Sequence, residues 1–122
     1  MVERKNMKIS QADTLLNVLS TMLKTKGIVG FKLARNYRMI EDELKEYTEV
    51  KRELFNKYGT EENGQLIIDK NSENYSLFLE EIKPYDEQEV EFDFRMITEQ
   101  ELIESGLTGE QMLILSDYMV EV

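Results

Sequence analysis

The feature that most constrains the fold is a run of mostly apolar residues with a seven-residue repeat in the first half of the chain. Its members lie three or four positions apart, and a single lysine interrupts it. They are Leu33, Tyr37, Ile40, Leu44, Tyr47, Lys51, Leu54 and Tyr58. Alternating spacings of three and four are typical of a helical seam that packs against another element. The pattern predicts one helix from Phe31 to Tyr58, ended by Gly59.

A helix over 31–58 would be longer than the body of a compact protein of this size. It would span about 42 Å at the usual helical rise. A compact chain of 122 residues has a radius of gyration of about 14 Å, which corresponds to a sphere about 35 Å across. The sequence therefore predicts an elongated molecule, or a seam partly covered by a second chain. The second case is a homodimer through Leu33, Tyr37, Ile40, Leu44 and Tyr47.

A shorter helix is predicted before the long one. Ser10 can cap it, and apolar residues recur at helical spacing from there to about Lys24. Gly27 and Gly30 indicate a connector between the two helices. Residues 1–6 are charged and lack an apolar anchor, which predicts a flexible leader. The chain is thus divided into this leader and one domain over 7–122, with a helical hairpin at 10–58 and an acidic half at 59–122.

The pattern changes after Gly59. Asn63-Gly64 is a strong turn signal, and the short apolar run after it predicts a strand at Gln65–Asp69. Ser72 can cap a third helix, which Pro84 is expected to follow and end. Strict alternation over Gln88–Ile97 predicts a half-buried strand, paired antiparallel with 65–69.

Two capping boxes predict the last helices. Thr98 with Glu101 opens one, and Thr108 with Gln111 opens the other. The predicted fold class is α+β. An N-terminal antiparallel helical hairpin with one long helix is followed by a small antiparallel β element and short helices.

The alternating strand also supplies the candidate binding residues. Val90, Phe92, Phe94 and Met96 share one face, which must be buried, so the acids between them face solvent. We predict a protein-binding surface that consists of Asp86, Glu87, Glu89, Glu91 and Asp93. The alternative interpretation is that these charges only protect an edge strand from pairing with other chains.

The charge is unevenly distributed. Residues 1–58 carry 12 basic and 8 acidic side chains, whereas residues 59–122 carry 3 and 17, and the total is -10. An acidic half favours a partner with a basic surface and argues against direct nucleic-acid binding. A local basic stretch holds Lys24, Lys26, Lys32, Arg35 and Arg38. It could contact phosphate or an acidic protein, or be the polar face of the hairpin.

The residue types needed for most catalysis are missing. There is no histidine and no cysteine, which removes the commonest general base, metal ligand and thiol nucleophile. No glycine-rich phosphate loop is present, and an EF-hand-like spacing from Asp69 to Glu80 lacks its glycine. We therefore expect no enzyme activity, no cofactor and no metal, and a carboxylate-only metalloenzyme is the weakest alternative. No signal peptide or membrane span is evident, so a cytoplasmic protein is expected.

Three segments carry a family resemblance. They are KLARNYRMIEDELKEYTEVKRELFNKYG from Lys32, EVEFDFRMI from Glu89 and LTGEQMLILSDYMVE from Leu107. Their order and composition resemble small phage and prophage proteins of unknown function from Gram-positive hosts. The resemblance implies a phage origin and a location in the host cell, and it carries over no functional residues.

Together these observations give two hypotheses. The first is a non-enzymatic, acidic phage protein that binds a host protein, for example as an inhibitor of a defence or nucleic-acid-processing factor. The second is a virion structural or assembly factor that oligomerises through the long helix.

Overall fold

The structure is a computed structural model that describes residues 1–121. It is an α+β fold whose secondary structure begins with a strand. The elements in order are β1 (Val2–Lys8), α1 (Ile9–Ser20), α2 (Gly27–Glu43), α3 (Lys45–Tyr58), β2 (Thr60–Glu62), β3 (Gln65–Ile67), α4 (Glu73–Asp86), β4 (Glu89–Arg95), α5 (Glu99–Ile103) and α6 (Gly109–Ser116). The predicted fold class is confirmed, and several of its details are not.

The main sheet pairs the N-terminal strand with a strand from the second half of the chain. β1 and β4 run antiparallel, with Val2 opposite Arg95 and Lys8 opposite Glu89. The prediction of a flexible leader over 1–6 was therefore wrong, and so was the pairing of 65–69 with 88–97. A strand with one buried side chain, Met7, has almost no apolar signature. Main-chain hydrogen bonds and cations opposite the β4 acids hold it instead.

The second sheet is a short hairpin of β2 and β3. Thr60 lies opposite Ile67 and Glu62 opposite Gln65. Asn63 and Gly64 have φ angles of 52° and 80°, as a two-residue hairpin turn of type I′ requires. The turn prediction is confirmed, but the strand that follows it pairs with the segment just before it.

The predicted long helix is two helices, α2 and α3. The interruption is at Leu44, whose ψ of 9° is far from the helical value of about -42°. The Leu44 N–H still donates to the Ile40 carbonyl, and the Thr48 N–H donates to the Leu44 carbonyl. Leu44 itself stays fully buried. The prediction of one helix over 31–58 was therefore wrong, and two helices meet at this residue.

The start of α2 also differs from the prediction. The residues interpreted as a connector, Gly27 to Gly30, form its first turn. A Cβ atom at Gly30 would lie 1.8 Å from the carbonyl oxygen of Thr25. Only glycine fits this close approach, so Gly30 allows tight packing rather than the freedom of a linker.

The helices of the second half begin largely where their caps predict. The Ser72 hydroxyl accepts a hydrogen bond from the Tyr75 N–H, and both predicted capping boxes are present. Pro84 lies inside the last turn of α4 rather than after it. Near a helix end a missing N–H costs one hydrogen bond only, which is why the helix continues to Asp86.

One core joins the main sheet to the helices. The buried face of β4 contributes Phe92 and Phe94, and Met96 follows them. Leu15 and Leu19 of α1 and Leu33 and Ile40 of α2 belong to the same buried cluster. The alternation predicted for β4 is confirmed, and it fixes the acidic side chains of that strand on the solvent face.

Candidate protein-binding surfaces

The acidic row of β4 lies directly opposite basic and polar residues of β1. Glu89, Glu91 and Asp93 are exposed, as predicted. The Arg4 guanidinium lies 3.0 Å from Asp93 Oδ1 and 3.7 Å from Glu91 Oε2. These carboxylates raise the pKa of Arg4, and the hydrogen bond to Asp93 contributes most. The row is therefore partly neutralised by the chain itself.

The two acids predicted to extend the row are also engaged. Asp86 ends α4 and accepts a hydrogen bond from the Tyr47 hydroxyl at 2.6 Å. Burial, together with this hydrogen bond, raises the pKa of Tyr47 well above its usual value. Glu87 Oε1 lies 4.0 Å from Lys83 Nζ. The structure does not bring the five predicted residues together as one free negative stripe.

The edge of β4 away from β1 is partly covered. The Asn36 side chain donates to the Arg95 carbonyl at 3.0 Å and accepts from the Arg95 N–H at 2.9 Å. Asn36 is only 1% exposed, so its amide takes the place of a neighbouring strand. Beyond it, Ile97 bridges to Val120 in parallel. This part of β4 is closed to further strand pairing.

The seam predicted for a homodimer is inside this chain. Leu33, Ile40 and Leu44 have no exposed surface, and Tyr47 is 6% exposed. Lys51, which interrupts the seam, lies 3.1 Å from Asp13 Oδ2 of α1. The chain therefore covers the seam with its own elements. A homodimer through these residues would require the core to open.

A second acidic surface was not predicted as a site. A cavity of about 460 Å³ lies between α3, the end of α4 and the start of β4. Four glutamates line it: Glu43, Glu46, Glu49 and Glu53. The other lining residues include Ile9, Tyr47, Val50, Tyr85 and Val90. We call this the glutamate cleft.

The acids of the glutamate cleft differ from those of β4. Among residues 1–121, none of the four glutamates forms a salt bridge or a side-chain hydrogen bond. Tyr47 and Ile9 are buried beneath them, and Val50 and Val90 are half-buried. A cation with an apolar body could bind there, because carboxylates attract the charge while the floor covers the apolar part.

The sequence contained a signal for this cleft. Glu46, Glu49 and Glu53 are spaced three and four apart, so they share one face of a helix. The apolar seam of the same helix was used to predict packing, and the acidic face beside it was not predicted as a site. The facing wall, from α4 and β4, is not adjacent in sequence and had no signal.

The basic stretch is divided by the structure. Lys32 Nζ donates to the Met96 carbonyl and to Glu101 Oε1, both at 2.8 Å. The hydrogen bond from Lys32, with a further one from the Thr98 backbone, lowers the pKa of Glu101. Lys32 therefore ties α2 to α5. The other four cations are exposed and form no salt bridge within residues 1–121.

The structure assigns ordinary structural contacts to the EF-hand-like segment. Asp69 Oδ1 accepts a hydrogen bond from the Asn71 N–H, and Glu73 begins α4. In residues 1–121, no three acidic side chains converge closely enough to hold a metal ion. Over the same residues, no helix has the length and apolarity to cross a bilayer.

The comparisons with known proteins add no relative. The chain matches no protein-family model, and no curated protein or solved structure is detectably similar to it.

Proposed function

We propose that this protein is a non-enzymatic binding protein that receives a basic, partly apolar protein surface in the glutamate cleft. The observation that carries this function is the set of four unpaired carboxylates around a floor that contains Tyr47 and Val50. The sequence hypothesis of an acidic protein that binds a basic partner is kept. The main docking surface moves from the β4 row to the cleft.

Electrostatics favour the cleft over the row. Like charges that share a concave wall repel each other, and a bound cation relieves that repulsion. A cleft also focuses the field of a chain with a net charge of -10, which raises the rate of encounter with basic partners. A bound cation would relieve less repulsion at the β4 row, since Arg4 already neutralises part of that row.

The partner belongs to the host in this proposal, following the resemblance to phage proteins. An inhibitor of a defence or nucleic-acid-processing factor would use such a cleft to cover basic residues that otherwise contact phosphate. Direct binding of nucleic acid is disfavoured, because the glutamates repel the phosphate backbone.

A capture experiment with two matched variants tests this function. The cleft variant carries Glu46→Gln, Glu49→Gln and Glu53→Gln, and the row variant carries Glu89→Gln, Glu91→Gln and Asp93→Asn. Both remove three negative charges. We expect wild type and the row variant to retain the same host protein at 50 mM salt, and the cleft variant to lose at least about tenfold in affinity. Equal capture by both variants, or loss only with the row variant, would exclude the cleft as the docking surface.

A further inference from the structure

The chain carries a surface that complements its own glutamate cleft. Four exposed cations and two exposed apolar side chains lie on α2 and in the turn before it. They are Lys24, Lys26, Arg35 and Arg38, with Ile28 and Phe31 among them. We call this surface the basic end.

Both apolar members of the basic end are more than half exposed. Ile28 is 53% exposed and Phe31 is 55% exposed. Ile28, Phe31, Arg35 and Arg38 are spaced three, four and three apart, so they form one stripe along α2. The Arg35 guanidinium lies 5.7 Å from the centre of the Phe31 ring, which shows that charge and ring are adjacent. This surface combines the two properties that the cleft selects: positive charge and an apolar body.

The apolar part of the basic end is held away from the cleft within one molecule. Glu43, at the cleft, ends the same helix that carries Ile28 near its start. Fifteen helical positions separate these two residues, which is about 22 Å along the axis, whereas Arg38 lies only five positions from Glu43. Because the helix holds Ile28 at this distance, a contact between Ile28 and the cleft must join two copies.

We propose that the glutamate cleft binds the basic end of a second copy of this chain. This inference rests on the proposed function and names one partner for the same site. Lys24, Lys26 and Arg35 supply positive charge for the cleft glutamates. Phe31 and Ile28 supply apolar surface for the floor around Val50 and Tyr47. Each copy then has one free cleft and one free end, so the contact is head-to-tail and adds further copies rather than closing a two-fold dimer.

The head-to-tail contact is consistent with the charge along the chain. Residues 1–40 contain eight basic and two acidic side chains, whereas residues 41–53 contain six acidic and three basic side chains. Molecules with opposite charge in two separate regions attract one another end to end. Salt weakens this attraction because the charges are exposed. A second copy is the one partner for which the chain itself supplies the complementary surface.

Complementation between two variants tests this contact. The cleft variant is that defined above, and the end variant carries Phe31→Ser, Arg35→Gln and Arg38→Gln, all at exposed positions. Sedimentation velocity at 50 mM salt is run on wild type, on each variant alone and on their equimolar mixture. We expect the mass of wild type to rise with concentration and each variant alone to stay monomeric. The mixture should form a dimer and nothing larger, because only one intact cleft and one intact end remain.

The controls separate this inference from the proposed function. The β4 row variant should self-associate like wild type, and 500 mM salt should weaken self-association at least about tenfold. Association that survives in both variants alone, or a mixture that stays monomeric, would overturn the head-to-tail contact. A wild type that is monomeric up to about 1 mM would also overturn it. If that monomer still captures a host protein through the cleft, the proposed function stands without self-association.

Discussion

The two acidic surfaces of this molecule differ in what surrounds them. The acids of β4 lie on a strand whose other face is the core, and Arg4 of β1 contacts two of them. The glutamates of the cleft lie on α2 and α3, and in residues 1–121 none of them forms a salt bridge. The regular row of charge is therefore partly paired within the chain, while the less regular cluster forms no salt bridge in the described residues.

The difference shows that charge counted along a sequence says little about charge available for binding. The C-terminal half has the larger acidic excess, yet part of it is neutralised by the N-terminal strand. The cleft glutamates lie in the half whose net charge is positive. Whether a charge is available for binding depends on which charges lie together in the folded protein. Four variants test the contacts described above.

The largest loss of stability is expected for a substitution on the buried face of β4, opposite the acidic row. Phe94→Ala removes a fully buried ring from the core, and such truncations cost about 3–5 kcal/mol. Urea denaturation should show this loss, while Glu91→Gln on the opposite face changes the free energy of unfolding by less than about 0.5 kcal/mol. Similar losses for the two variants would mean that β4 is not the buried strand described here.

The next effect concerns the side chain that closes the edge of β4. Asn36→Ala removes both hydrogen bonds to Arg95 and leaves a buried N–H and C=O without partners. We expect a loss of about 2–3 kcal/mol in the free energy of unfolding and faster hydrogen exchange at the Arg95 amide. Asn56→Ala, at an exposed position, is the matched control. Unchanged exchange at Arg95 would contradict the strand-like role of Asn36.

A paired acid should show a pH dependence. The pKa of Glu101 is lowered from 4.5 in the folded protein, mainly by Lys32. Its stabilisation is therefore fully present above that value and is lost as the pH falls through the lower folded pKa. Glu101→Gln removes the negative charge that faces Lys32 but keeps an oxygen that can close the capping box, so it should cost about 1 kcal/mol at pH 7 and less as the solution becomes acidic. Thermal melts from pH 7 to pH 3, with Glu99→Gln as control, measure this. A difference that stays constant over this range would contradict it.

The smallest effect on stability is expected in the cleft. The triple variant Glu46→Gln, Glu49→Gln and Glu53→Gln removes repulsion and no salt bridge, so stability should rise by no more than about 0.5 kcal/mol. The same variant should lose binding to basic partners. Urea denaturation checks the first expectation. A marked loss of stability would show that these glutamates have partners within the chain.

The local features of the fold could be predicted from the sequence. The caps at Ser72, Thr98 and Thr108 and the turn at Asn63-Gly64 are set by neighbours within a few residues, and the structure has them. The alternation of apolar and charged residues along β4 could also be predicted, because burial of one face of a strand requires it. These elements depend on short-range chemistry that a single sequence contains.

The long-range features could not be predicted. The partner of β4 is a strand with one buried side chain, so no apolar pattern marked β1. The break at Leu44 lies where the heptad is apolar on both sides, in a segment without glycine or proline, and nothing nearby in the sequence indicates it. The cleft is equally long-range, since it forms where α3 meets the end of α4 and the start of β4. The binding residues predicted on β4 therefore stay a prediction, and the sequence analysis did not predict the cleft as a site.

The pairing of β1 with β4 has a consequence for synthesis on the ribosome. Glu89 follows its partner Lys8 by 81 positions, which take about 4–16 s to translate at usual elongation rates. Throughout that time β1 is a lone strand with both edges open. Its arginine and lysines keep such an edge from pairing with other nascent chains. The basic residues that later neutralise the acidic row thus first protect an unfinished protein from aggregation.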